Sequence, residues 1–182
     1  MTWQEIAEKH GTDKATHGYM PYYEEHFDRS KWWPRRSWSV NSILEIGCEK
    51  GNSARMWKEL LPDAQLVFVD LFQEHPIPDI PGIKFIKGNQ LDHELLYNIR
   101  NYADLDVVID DGSHNSRDQL VTFWSLVGTS RLYVVEDLHC CNDELYRQGL
   151  PFEKTMLGQM KAVTFPYTHY LYDDKIAFIY AD

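Results

Sequence analysis

The chain has 182 residues and a formal charge of −10. That length suits one domain with a well-buried core and is short for two, and no apolar run nears the roughly 20 residues that a membrane-spanning helix needs. The acidic total argues against a general nucleic-acid binder, because affinity for phosphate backbones comes mostly from Lys and Arg.

Residues 2–10 and 19–27 read as short helices joined by a polar loop, GTDKATHG, at 11–18. Residues 28–42 carry Trp32, Trp33, Pro34 and Trp38 among Lys31, Arg35 and Arg36 with no clean period, which reads as a connector or a lid. KWWPRRSW is also the one segment whose aromatics and arginines suit nucleic acid, but eight such residues do not offset the acidic balance. Strand and helix signals then alternate: SILEI, SARMWKELL, QLVFVDL, KFIKG, HELLYNIRNY, DVVIDD, DQLVTFWSLV and RLYVVEDL. That order calls for right-handed crossovers and a parallel sheet covered on both faces. AVTFPYTHYLY and KIAFIYA flank Asp173 and Asp174 as a hairpin would. The expected fold is therefore α/β: one domain over 1–182, with N-terminal helices and connector at 1–42. Its core at 43–182 is a doubly wound, mostly parallel seven-stranded sheet with an antiparallel C-terminal hairpin.

The start, MTWQEIAEKHGTDK, lacks the basic and then apolar pattern of a signal peptide. Cys48, Cys140 and Cys141 are odd in number with two adjacent, which fits free thiols and a cytoplasmic location better than a disulfide framework. Zinc at His139, Cys140 and Cys141 lacks the spacing of known motifs.

The most informative stretch is ILEIGCEKGNS at 43–53, an apolar run ending in Glu45 and followed by Gly47 and Gly51. A strand that breaks into a glycine turn and then a helix frees backbone N–H groups and admits close approach of a ligand. The spacing lacks the three-glycine dinucleotide fingerprint, so an adenosyl group without pyrophosphate fits better. In open α/β sheets ligands bind beyond the carboxyl ends of the strands. Glu45, Asp70, Asn89, Gln90, Asp110, Asp111, Glu136 and Asp137 all fall there. Asp70 suits ribose hydroxyls, or alternatively caps the next turn. Carboxylates crowded at the ends of two neighbouring strands call for a hard cation such as Mg²⁺, Mn²⁺ or Ca²⁺, unless some of them cap helices. His114 is either an exposed helix N-terminal residue or a proton acceptor on that rim.

GTDK with His17, Tyr19 and Tyr23 behind it, then LEIGCEKGNS, VFVD, GNQLD, VVIDDGSH and VVEDL, together resemble the class I S-adenosylmethionine-dependent methyltransferases. More narrowly, they resemble the metal-dependent sugar O-methyltransferases of macrolide and rhamnosyl tailoring. The resemblance implies a Rossmann-like fold and an enzyme that transfers a methyl group from S-adenosylmethionine to a hydroxyl of a sugar or similar vicinal diol. It implies Mg (or Mn) held by Asp111, Glu136 and Asp137, with His114 or Asp111 as the base. It places the cofactor against Glu45, Gly47, Gly51, Ser53, Asp70, Asn89, Gln90 and Asp110, with a loop carrying Thr12, Lys14, Tyr19 and Tyr23 closing over it. Family members often have Asp where this chain has Asn89, and His139-Cys140-Cys141-Asn142 departs from what usually follows VEDL, on the substrate side. A catechol-type O-methyltransferase and a catalytically idle S-adenosylmethionine binder are the alternatives. The expected partner is a small-molecule acceptor; a homo-oligomer is left open.

Overall fold

A computed structural model describes residues 1–27, 39–72, 75–100 and 105–181. The connector expected around Trp32 to Trp38 lies outside the described residues. Helix α1 (Trp3–His10) starts on a capping box, with Thr2 accepting from the Glu5 N–H and Glu5 reaching back to Thr2. It stops at Gly11, whose left-handed φ of 67° closes the turn. The expected loop that follows contains a one-turn helix, α2 (Asp13–Thr16), before α3 (Met20–Phe27).

Seven strands follow: β1 (Ser42–Ile46), β2 (Gln65–Asp70), β3 (Ile83–Lys87), β4 (Leu105–Asp110), β5 (Ser130–Val135), β6 (Thr168–Tyr172) and β7 (Ile176–Tyr180). They form one sheet in the order β3-β2-β1-β4-β5-β7-β6. Strands β1 to β5 run parallel, and β7 lies antiparallel between β5 and β6. This is the expected doubly wound sheet with its antiparallel C-terminal pair. Strand order reverses between β1 and β4, the point at which such sheets open a crevice. Strand β6 begins six residues later than Ala162, because Pro166 has no N–H to give a ladder.

Helices α4 (Asn52–Leu60), α5 (His93–Arg100) and α6 (Ser116–Leu126) link the parallel strands. The stretch between β5 and β6 adds two short helices, α7 (Glu144–Arg147) and α8 (Met156–Met160), that were not foreseen. Two apolar cores sandwich the sheet. One joins Ile6, Tyr23 and Trp57 to Ile43, Ile109 and Val134, and the other joins Leu96, Phe123 and Leu157 to Leu44, Val108 and Val135. Successive strand residues thus alternate between the cores, as the two-residue period of a strand demands. That alternation continues past the strand ends and decides where the polar residues go. Among the described residues, no helix is long and apolar enough to cross a membrane.

Candidate active site

A cleft of about 580 Å³ opens beyond the ends of β1, β2, β3 and β4, a size suited to a nucleoside-like ligand. Its walls include Gly47 and Cys48 after β1, Asp70 at the end of β2, Asn89 and Gln90 after β3, and Asp111 to His114 after β4. Gly47 has a φ of 88°, and a Cβ there would sit 1.9 Å from the Asp111 carbonyl oxygen. Only glycine lets those two turns touch. Asp70 organises the turn, its Oδ2 accepting from the N–H groups of Cys48 (2.8 Å) and Glu49 (2.9 Å) and its Oδ1 from Phe72 (3.0 Å). Oδ2 is filled by its two donors, whereas Oδ1 keeps acceptor capacity for a ligand. Gln90 is held at both ends, donating to Thr122 Oγ1 and accepting from the Ser113 N–H.

Of the residues expected at the cofactor, Thr12, Gly47, Ser53, Asp70, Asn89 and Gln90 line this cleft, whereas Lys14, Tyr19, Glu45, Gly51 and Asp110 do not. Gly51 packs instead against Pro78. Strand alternation explains two others. Glu45 shares the face of Ile43 and is fully buried, accepting from the Trp57 indole at 2.6 Å. Asp110 shares the face of Val108, where it accepts from the Tyr133 hydroxyl at 3.1 Å. Burial holds its carboxyl up to about 7 from the usual 3.8. Between those two values the folded protein keeps a proton that the unfolded chain has lost, so stability falls as pH rises through that window and levels off above it. Asp110→Asn should therefore narrow the gap in melting temperature between pH near 5 and pH near 8; an unchanged gap would refute that source.

Lys14, Tyr19 and Tyr23 are absent from the cleft wall, although Thr12 and Asp13 of the same segment line it. The Lys14 ammonium is fully buried, 2.6 Å from Asp111 Oδ2, 3.0 Å from Glu136 Oε2 and 3.6 Å from Glu45 Oε1. Burial opposes its charge, but the fields of Asp111, Glu136 and Glu45 prevail and raise its pKa well above the ordinary lysine value. Burial also lifts those three acids, because one ammonium cannot compensate them all. Tyr23 donates a short hydrogen bond to Glu136 Oε1. Tyr19 donates to Asp137 Oδ1 at 2.6 Å.

Asp111, His114 and Asp137 bring one ligand atom each within 4.8 Å of one another. The His114 Nε2 lies 3.5 Å from Asp137 Oδ2, and His17 Nδ1 lies 3.4 Å from Asp137 Oδ1. His114 and Asp137 both hold left-handed backbone, φ 60° and 53°, a conformation that costs non-glycine residues energy and so points to a demand on where these side chains aim. The two carboxylates suit a hard divalent cation, and the imidazole beside them is placed to take a proton. Glu136, the third expected ligand, lies outside that group but shares the Lys14 ammonium with Asp111 and accepts from Tyr23. Sequence reasoning missed this pairing as well as Ser113, Asn115 and Asp118 in the cleft wall; the run DGSHNS was the available signal for Ser113 and Asn115.

Sheet order, the glycine turn and an acid at the end of β2 define the class I methyltransferase fold. No family model matches the sequence. The chain is 34% identical over 146 residues to the 8-demethyl-8-(2-methoxy-alpha-L-rhamnosyl)-tetracenomycin-C 3'-O-methyltransferase of Streptomyces olivaceus, covering 73% of this chain and 36% of that protein. It is 33% identical over 147 residues to the mycinamicin VI 2''-O-methyltransferase of Micromonospora griseorubida, covering 74% and 35%. The solved MycE methyltransferase of the mycinamycin biosynthetic pathway, in complex with Mg, SAH and mycinamycin VI, matches with a TM-score of 0.80 at 26% identity, over 99% of this chain and 54% of that one. The chain spans about a third of the length of these curated relatives. Within the class I methyltransferase fold, it resembles the sugar O-methyltransferases of macrolide and tetracenomycin tailoring.

Proposed function

We propose that the chain carries an S-adenosylmethionine-dependent O-methyltransferase activity, assisted by Mg²⁺ or Mn²⁺, on a hydroxyl of a sugar or similar vicinal-diol small molecule. The observation that carries this reading is the adjacency of the glycine-turned cleft to the Asp111, His114 and Asp137 corner. Two relatives named for sugar O-methylation, and a similar structure holding Mg and SAH, support it.

When bound, S-adenosylmethionine would supply an electrophilic methyl group, and a divalent cation would lower the pKa of an acceptor hydroxyl. Asp70 offers the remaining lone pair of Oδ1 to a ribose hydroxyl, while Asn89 and Gln90 border the adenine end of the cleft. Asp111 and Asp137, with Glu136 beside Asp111 on the shared Lys14 ammonium, would hold the cation, and the His114 imidazole would take the hydroxyl proton. Fixing the reacting groups in line is the chain's main contribution, since transfer from a sulfonium needs no covalent intermediate.

Asp70→Ala should weaken binding of S-adenosylhomocysteine about 10- to 100-fold by calorimetry, the worth of a hydrogen bond to a charged group. Unchanged affinity would remove Asp70 from the cofactor site. The whole reading is tested by release of S-adenosylhomocysteine from a panel of sugar diols and catechols, with and without Mg²⁺ or Mn²⁺. Metal-dependent turnover of sugar diols supports it; absence of cofactor binding overturns it.

A further inference from the structure

The corner that would hold the cation has a side that the cofactor cleft does not reach. Asp111 and His114 belong to both the cleft wall and the corner, but Asp137, His17 and His139 are absent from that wall. A cofactor filling the cleft therefore meets the corner from one side and leaves the other to the acceptor. Two imidazoles stand there. His17, capping the end of α2, and His139, in the 3₁₀ turn Leu138–Asn142, place Nδ1 3.4 and 3.8 Å from Asp137 Oδ1. That oxygen already accepts from Tyr19 at 2.6 Å, and both separations exceed an ordinary N–H···O hydrogen bond. Neither ring is committed to Asp137. Their centroids lie 6.5 Å apart, His17 stands edge-on to Tyr19, and the two side chains are 38% and 46% exposed. Each imidazole offers a donor, an acceptor and an apolar face, which suits a carbon ring that carries hydroxyls.

We infer that His17 and His139 are acceptor-binding residues that hydrogen-bond a hydroxyl beyond the two nearest the cation, so that the site takes a pyranose in preference to a bare diol. The inference rests on the reading above and adds to it the groups that tell a sugar from a catechol. A site built to pair a hydroxyl discriminates against an acceptor that lacks it.

The test compares two acceptors, methyl α-L-rhamnopyranoside, whose sugar is the one in the name of a relative, and cis-1,2-cyclohexanediol, which has no third hydroxyl. Specificity constants are measured with S-adenosylmethionine and Mn²⁺, and Mn²⁺ affinity separately by electron paramagnetic resonance of the free ion. Wild-type protein should favour the glycoside. His17→Phe and His139→Phe, which keep a ring but lose its nitrogens, should each raise KM for the glycoside about 3- to 10-fold, the worth of one neutral hydrogen bond, and shrink the preference to match. Mn²⁺ affinity should stay within about threefold. His17→Asn and His139→Asn, whose amides reach the place of the imidazole Nδ1, should restore much of the preference, and they carry the test if a Phe variant fails to fold. Unchanged KM and preference in both Phe variants overturn the inference. So does a loss of Mn²⁺ affinity of about tenfold, which would make the rings supports of Asp137. Wild-type protein that methylates neither acceptor overturns the sugar reading itself, a result distinct from any difference among the variants.

Discussion

Replacing Lys14 with methionine is expected to destabilise the protein by about 3–5 kcal/mol, the cost of stripping the partner from a buried charge. The side chain sits at 0% exposure among Asp111, Glu136 and Glu45, so its loss leaves two buried acids and the partly exposed Asp111 without their shared ammonium. Methionine fills similar volume, which makes charge rather than packing the thing removed. Urea unfolding followed by circular dichroism measures the effect. Adding Glu136→Gln to Lys14→Met should recover about 0.5–3 kcal/mol, since one of the stranded acids is then neutral, and the non-additivity reports the direct pairing. A Lys14→Met protein within about 1 kcal/mol of wild type would mean that the acids simply take up protons at no cost, contrary to the burial argument.

The second large effect is on catalysis. Asp137→Asn should lower kcat on the order of 10²- to 10³-fold, the scale of losing one fixed electrostatic contact at a reacting centre. Affinity for S-adenosylhomocysteine should stay close to that of wild type, because Asp137 does not line the cofactor cleft. Asparagine still accepts from the Tyr19 hydroxyl through its amide oxygen, so folding should be largely spared. Single-turnover kinetics alongside calorimetry separates the two quantities. Equal loss of cofactor affinity and kcat would show that Asp137 shapes the whole rim and is no specific part of the chemistry.

Much of this arrangement is legible in the chain. The run SILEI followed by glycines, and the regular spacing to QLVFVD and DVVIDD, yield the strand order and the cleft because hydrophobic period and turn chemistry agree at each step. The doubled acids show the limit of such reading. Asp110 and Asp111 look equivalent as a string, yet consecutive residues of a strand face opposite ways, so one meets Tyr133 and the other Lys14. Applying the same two-residue period one step further would have separated them in advance. Lys14 itself carried no local sign of its place, since its partners lie 97 and 122 residues away and nothing in GTDK specifies burial. Helices α7 and α8 escaped for a different reason: four and five residues are too few to display a helical period.

The separation between Lys14 and Glu136 also bears on how the molecule comes into being. As the chain leaves the ribosome, the segment that carries Lys14, Tyr19 and Tyr23 emerges first, but the acids it must meet are among the later residues to appear. Until then an ammonium and two phenols destined for the interior wait in water, unable to dock. Closing so long a loop is slow, and contacts of that span tend to form late. The N-terminal helices should accordingly be the last piece to gain protection in pulsed hydrogen exchange, arriving after the sheet is already built.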